Sequence, residues 1–174
     1  MKVLLLNGSP HEKGCTYRAL TEVAGALTKE GIEAEIVHIG NQAVHGCIGC
    51  GKCAATGRCV FKADPVNAFL DKMEHADGLI VGSPVYYASA NGSLYSFLDR
   101  LFYAAGGRLA GKAAAAVVSC RRGGASAAFQ QLNMFFGMNN MVVATSQYWN
   151  QVHGNTPQEV AQDQEGLQTM RTLA

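Results

Sequence analysis

The feature that most constrains the fold is an alternation of short apolar runs with stretches whose apolar residues recur at helical spacing. Five apolar runs of strand length occur, at residues 3–6, 34–39, 79–81, 113–118 and 141–144. Between them, and after the last one, apolar residues recur every three or four positions, as in helices that bury one face. Strands and helices in strict alternation predict a parallel sheet that is covered by helices on both faces.

The number of strands narrows the topology. Five strands and about five helices fit a flavodoxin-like α/β fold, a doubly wound five-stranded parallel sheet with strand order 2-1-3-4-5, better than the six-stranded dinucleotide-binding fold. In that order the chain changes direction between strands 1 and 3, so a ligand is expected outside the carboxyl ends of these strands. Because no linker or repeat interrupts the pattern, residues 1–174 are predicted to form a single domain.

Charge and hydropathy exclude several classes of function. The chain has 14 basic and 13 acidic residues, for a net charge of +1, so no electrostatic footprint for nucleic acid or an anionic membrane is present. The longest aliphatic run, Ala113–Val118, is far too short to span a bilayer. We therefore expect a cytoplasmic protein, in which the six cysteines are metal or redox ligands before they are disulfides.

The loop after the first strand has the chemistry of an anion site. It contains Ser9, Gly14, Cys15 and Thr16 and runs directly into a helix. Hydroxyl groups and unpaired backbone N–H groups at a helix N-terminus bind anions, and a terminal phosphate fits there without an arginine. The alternative is an ordinary helix cap at Thr16, which explains one hydroxyl but not the whole loop.

The loops after the third and fourth strands have the chemistry of a site for a flat ring. Two adjacent tyrosines, Tyr86 and Tyr87, can form an apolar wall, and the backbone around Pro84 can hydrogen-bond a ring edge. In the other loop Arg121 and Arg122 could neutralise an anionic ring, while the neighbouring glycines allow close approach. The alternatives are tyrosines that pack on neighbouring helices and arginines that form a solvated surface pair.

Together the loops describe a phosphate at one end and a heteroaromatic ring at the other. The segments 7–10, 14–16, 82–87, 89–92 and 97–100 resemble the NADPH-dependent FMN reductase family of flavodoxin-like proteins. The resemblance covers about residues 1–150 and implies bound FMN, NAD(P)H as co-substrate, and a homodimer or homotetramer. It implies a phosphate held by Ser9, Cys15 and Thr16, a ring lined by Pro84, Val85, Tyr86, Tyr87 and Asn91, and a pyrimidine side near Ser119, Arg121, Arg122 and Gly123.

A cysteine-rich loop at residues 46–59 carries a second signal. Its cysteines have the spacing C-x2-C-x2-C-x5-C, and the first three have the ferredoxin-type spacing that wraps one side of a cubane; the four are Cys47, Cys50, Cys53 and Cys59. Zinc prefers two well-separated C-x2-C pairs, so it fits this compact run poorly. The run resembles that of the iron–sulfur flavoproteins, which implies a [4Fe–4S] cluster. A zinc ion, or cysteines without a stable metal, are the alternatives.

Two expectations about place and activity follow. Because the cysteine loop leaves the second strand, a cluster is expected at the same sheet edge as the flavin loops. The predicted function is an FMN-dependent oxidoreductase that moves electrons between NAD(P)H or a redox-protein donor and a small acceptor; the flavin performs the chemistry, so no catalytic side chain is predicted. The alternatives are a flavodoxin-type electron carrier, which the net charge disfavours, and a cysteine-based redox sensor, which needs exposed thiols of low pKa.

Overall fold

The computed structural model describes residues 1–174 and contains seven strands and seven helices. The strands are β1 (Lys2–Asn7), β2 (Glu33–His38), β3 (Gly78–Tyr86), β4 (Ser89–Ala90), β5 (Ala113–Cys120), β6 (Val142–Val143) and β7 (Gln151–His153). The helices are α1 (Cys15–Lys29), α2 (Cys53–Thr56), α3 (Val66–Glu74), α4 (Gly92–Ala105), α5 (Ala125–Met138), α6 (Pro157–Val160) and α7 (Gln164–Leu173). None of these helices combines the length and the apolar character that crossing a membrane requires.

The main sheet is parallel and has the order β2-β1-β3-β5-β6. Since β4 is only a short antiparallel partner of β3, this is the predicted flavodoxin-like order 2-1-3-4-5, which is confirmed. The fifth predicted strand, 141–144, is shorter in the structure, and a second short strand outside that range lies on the same side of β5. Only Val142–Val143 pair with the start of β5, whereas β7 pairs with its end, opposite Val118 to Cys120.

Buried side chains fill both faces of the sheet. Along β1, Leu4 and Leu6 point into one cluster of 28 buried residues and Leu5 into another of 13, because successive side chains of a strand alternate between faces. The larger cluster lies under α3, α4 and α5, and the smaller one lies under α1, α6 and α7. The prediction of a sheet covered on both faces is therefore confirmed.

Three helix N-termini lie at the carboxyl edge of the sheet. α1 begins after the loop that follows β1, α4 begins after the β3–β4 hairpin, and α5 begins after the loop that follows β5. α4 is capped by Asn91, whose Oδ1 accepts from the N–H of Ser93. The edge predicted to bind a ligand is thus surrounded by helix N-termini, whose dipoles favour negative charge.

Candidate functional site

The loops after β1, β3 and β5 are joined by hydrogen bonds. The N–H of Gly8 donates to the carbonyl of Gly82 at 2.8 Å. The side-chain amide of Asn91 donates to the carbonyl of Gly8, also at 2.8 Å. The hydroxyls of Thr16 and Ser119 lie 2.8 Å apart and share a hydrogen bond. The structure therefore brings the three predicted loops to one place at the sheet edge.

The first loop presents unpaired donors rather than side-chain charges. The N–H groups of Cys15, Thr16 and Tyr17 in the first turn of α1 have no acceptor in the chain, and no acidic side chain lies in that turn. The Oγ of Ser9 accepts from the N–H of His11 at 3.1 Å, which shapes the loop. An anion placed before α1 would meet these three backbone donors and the positive end of the helix dipole.

Thr16 has a structural partner that the sequence does not reveal. Its side chain is fully buried, and its hydroxyl is bonded to that of Ser119, which is also buried. Its methyl group lies against Gly82, where an added Cβ would come within 2.9 Å of it. Thr16 therefore fastens the first loop to β3 and β5, and its contact with a phosphate stays a prediction.

Asn91 and the tyrosines occupy different parts of the second loop. The backbone N–H of Asn91 donates to the hydroxyl of Ser83, and its side-chain amide donates to the carbonyl of Gly8, so Asn91 holds the loops together. β3 and β4 form a hairpin whose turn is Tyr87 and Ala88, both at positive φ (51° and 60°) as in a type I′ turn. Tyr86 and Tyr87 are exposed at its tip, and their contact with a ring stays a prediction.

The third loop places two unpaired cations beside that hairpin. Arg121, Arg122 and Gly123 are exposed, and neither arginine forms an ion pair. Gly124 has a φ of +89°, and a Cβ there would lie 2.8 Å from the Cα of Ala88. The hairpin tip therefore rests on the start of α5, where a side chain would collide.

A fourth loop, missed by the sequence analysis, reaches the same edge. The N–H of Gly154 donates to the carbonyl of Cys120 at 3.0 Å, and the thiol of Cys15 lies 3.7 Å from the carbonyl of Gly154. Burial raises the pKa of both thiols, at Cys15 and Cys120, which disfavours a thiolate at either position. The three-residue strand before Gly154 is too short to give a periodic signal.

The four cysteines of the C-x2-C-x2-C-x5-C run surround one cavity. Cys47, Cys50, Cys53 and Cys59 line a cavity of about 510 Å³ together with residues of α4, and all four thiols are free. No three His, Cys, Asp or Glu side chains lie close enough together to hold a single metal ion. In a cubane cluster each thiolate binds a different iron, so its ligands surround a volume rather than a point. Four unpaired thiols around one cavity fit that donor set.

The cavity lies along α4 rather than at the sheet edge. Gly46 lies beside Ser96 and Cys59 beside Arg100, both on α4, and Gly57 lies beside Arg108 just past its end, so the cysteine loop runs alongside this helix. The cavity opens around Arg100, roughly 13 Å along the helix from Asn91 at 1.5 Å per residue. The expectation that a cluster would share the edge of the flavin loops is therefore corrected: the lining of the cavity includes no residue of those loops.

The fold is that of a flavodoxin-like α/β protein, in which the loops after β1, β3 and β5 meet at the carboxyl edge of the sheet. The profile of the family described as NADPH-dependent FMN reductase matches residues 1–156, and the chain belongs to that family. An iron–sulfur flavoprotein of Methanocaldococcus jannaschii is 35% identical over 99% of this chain and 93% of that protein. An iron–sulfur flavoprotein of Methanosarcina thermophila is 31% identical over 100% of this chain and 92% of that protein.

Solved structures share the fold at low sequence identity. RosB with a bound 8-demethyl-8-formylriboflavin-5'-phosphate intermediate matches with a TM-score of 0.77 and 18% identity, over 99% of this chain and 75% of that one. The NADH:FMN oxidoreductase EMOB matches with a TM-score of 0.64 and 21% identity, over 98% and 88%. An archaeal flavodoxin matches with a TM-score of 0.61 and 16% identity, over 99% of each chain. The predicted family and the class of FMN-dependent oxidoreductase are confirmed.

Proposed function

We propose that this FMN-dependent oxidoreductase binds FMN at the edge site and a [4Fe–4S] cluster in the cysteine cavity, and moves electrons between NAD(P)H or a redox-protein donor and a small acceptor. The observation that carries the proposal is the single cavity lined by all four spaced cysteines. Two relatives that span nearly the whole chain and are named iron–sulfur flavoproteins support it.

The edge site is proposed to hold FMN through backbone donors and exposed side chains. The phosphate would accept from the N–H groups of residues 15–17, with Ser9, Cys15 and Thr16 around it. The ring would lie against the hairpin residues and the third loop, whose members are Pro84, Val85, Tyr86, Tyr87, Ser119, Arg121, Arg122 and Gly123. The exposed arginines would attract the anionic reduced form, and Asn91 would hold the loops in register.

The cysteine cavity is proposed to bind iron through its four thiolates. Cys47 and Cys50 lie on its exposed side, and Cys53 and Cys59 are half-buried against α4. When bound, FMN supplies two-electron chemistry and the cluster supplies one-electron transfer. The chain's own residues would hold FMN near the N-terminus of α4 and the cluster beside its middle, and no side chain needs to act as an acid or base.

Anaerobic reconstitution tests the cluster. Wild-type protein should take up four iron and four sulfide per chain, as the proposed cluster composition requires, with broad visible absorption. Single Cys→Ala changes at the four positions should abolish that absorption and leave FMN bound, because the two sites use different loops. Cys120→Ala is the matched control and should keep the cluster. Wild type that takes up no iron and leaves four titratable thiols would refute the cluster.

The identity of the released flavin and steady-state turnover test the proposed FMN site and the oxidoreductase activity. Heat should release FMN, identified by chromatography against standards, and recovery of FAD would contradict the edge site. Steady-state oxidation of NADH and NADPH by the FMN-loaded protein should be catalytic. A protein that is reduced once but does not turn over would instead be a carrier or a sensor.

A further inference from the structure

Arg100 is the largest fully buried side chain of the chain, with an exposed fraction of 1%. It comes from the middle of α4, where a charged residue would ordinarily face solvent. A buried charge is costly unless it is paired and hydrogen-bonded, so its partners must hold it there. Those partners all belong to the segment that carries or flanks the cysteine loop.

Every N–H of the Arg100 guanidinium has an acceptor. Nε donates to the Sγ of Cys59 at 3.0 Å. Nη1 donates to the carbonyl of His45 at 3.2 Å and to the carboxylate of Asp64, and Nη2 donates to the carbonyl of Phe61 at 3.3 Å and to Asp64 at 3.0 Å. Five donors therefore meet five acceptors from both ends of the cysteine loop, which is the full capacity of the side chain.

The surroundings fix the guanidinium plane as well as its charge. The ring of Phe61 lies 5.0 Å from its central carbon and is itself stacked on His45 at 4.4 Å. Asp64, which is nearly buried, supplies the compensating negative charge. Desolvation opposes the charge, but the hydrogen bonds to Asp64 and Cys59 outweigh it and raise the pKa of Arg100, so the side chain stays protonated.

We propose that Arg100 is a positioning residue for the cluster: it closes the cysteine loop around Cys59 and, through its hydrogen bond to that sulfur, stabilises the reduced cluster. The inference rests on the proposed function. Of the four cysteine sulfurs, only that of Cys59 accepts a hydrogen bond from a guanidinium N–H. Hydrogen bonds to ligand sulfurs favour the more electron-rich state and so raise the reduction potential.

Two variants separate this role from a merely structural one, because they move the potential in opposite directions. Arg100→Lys keeps the positive charge but removes the fork that reaches Cys59, so the midpoint should become more negative. Asp64→Asn keeps the fork and removes a negative charge beside the cavity, so the midpoint should become more positive. If the substitutions only loosened the loop, the midpoint potentials of the two variants would shift in the same direction or not at all.

The matched control is Arg108→Lys, in the turn that follows the end of α4. Arg108 donates to the carbonyl of Gly57, inside the same loop, but has no bond to a cysteine. Its substitution should leave the midpoint at the wild-type value. In Arg100→Lys the ratio of reduced to oxidised cluster at the wild-type midpoint should fall about tenfold, which for one electron is 59 mV.

The experiment examines each protein in two forms, reconstituted with the cluster and metal-free. Reconstituted proteins are titrated with dithionite against redox mediators, and reduced cluster is followed by electron paramagnetic resonance. Metal-free proteins are compared by hydrogen–deuterium exchange, in which residues 45–64 should exchange faster in Arg100→Lys than in Arg108→Lys and wild type. Should Arg100→Lys fail to fold, Arg100→Gln takes its place: it also removes the Nε–H donor to Cys59, and an unchanged midpoint in that variant would overturn the role of the sulfur hydrogen bond.

The outcomes are distinguishable from failure of the proposed function. A wild type that forms no cluster overturns that function and the effect on potential together, while exchange in the metal-free protein still decides the loop-closing role. A wild type that forms the cluster, with an unchanged midpoint in both variants, overturns only the inference about Arg100. Exchange at residues 45–64 that is equal in all proteins overturns the loop-closing role.

Discussion

At the scale of single residues, the pair Thr16 and Ser119 joins two loops through one buried hydrogen bond. Thr16→Val keeps the shape but leaves the Ser119 hydroxyl buried without a partner, so the free energy of unfolding should fall by about 1–3 kcal/mol. Urea unfolding measures it. The double variant Thr16→Val with Ser119→Ala should be less destabilised than the sum of the two single variants.

Thr21→Val is the control for that change. Thr21 lies on the same helix and donates its hydroxyl to the carbonyl of Tyr17 at an exposed position. Removing that hydroxyl should therefore change the free energy of unfolding by no more than about 0.5 kcal/mol. Equal losses at residues 16 and 21 would contradict the buried link. FMN affinity measured on the same proteins tests the phosphate role: a contact from Thr16 predicts about tenfold weaker binding in Thr16→Val, from the lost charge-assisted hydrogen bond.

At the scale of elements, Gly124 sets the distance between the β3–β4 hairpin and α5. Its φ of +89° and the 2.8 Å approach of a built Cβ to Ala88 both oppose a side chain. Gly124→Ala should therefore lower the free energy of unfolding by about 2 kcal/mol or more, from left-handed strain and overpacking, and weaken FMN binding at the displaced hairpin. The neighbouring Gly123→Ala meets no atom within 4 Å and should leave the free energy of unfolding unchanged. Equal effects at both glycines would argue against the contact.

The same scale shows what the sequence could predict. Continuous apolar runs such as Leu4–Leu6 and regular stripes such as that of α4 carry their own periodicity, so the strand order and the covering helices follow from them. The hairpin turn at Tyr87 and Ala88 has no glycine or asparagine to mark it. The burial of Arg100 depends on acceptors up to 55 positions away in the chain, which no local pattern encodes. Predictions therefore fail where non-local partners decide the structure.

At the scale of the whole molecule, α1 and α7 on the smaller core face are linked by a charge cluster. Glu22 on α1 accepts from Arg18 at 2.8 Å and from Arg171 on α7, 149 positions further along the chain. The larger face has a comparable link, in which Glu35 of β2 pairs with Lys2 of β1 and Lys72 of α3. The packing of both faces against the sheet is therefore coupled to carboxylate ionisation.

This coupling predicts how stability depends on pH. Partial burial opposes the Glu22 charge, but the hydrogen bonds from Arg18 and Arg171 outweigh it and lower its pKa in the folded state. Its contribution is then fully present above the unfolded pKa of about 4.3 and is lost as pH falls through the lower folded pKa. Glu22→Gln should cost roughly 0.5–1 kcal/mol of unfolding free energy at pH 7, and the deficit should begin to close below about pH 4. Urea unfolding at both pH values checks this, with the exposed, unpaired Glu30→Gln as the neutral control. A deficit of equal size at both pH values would mean that packing of the side chain, not its charge, joins α1 to α7.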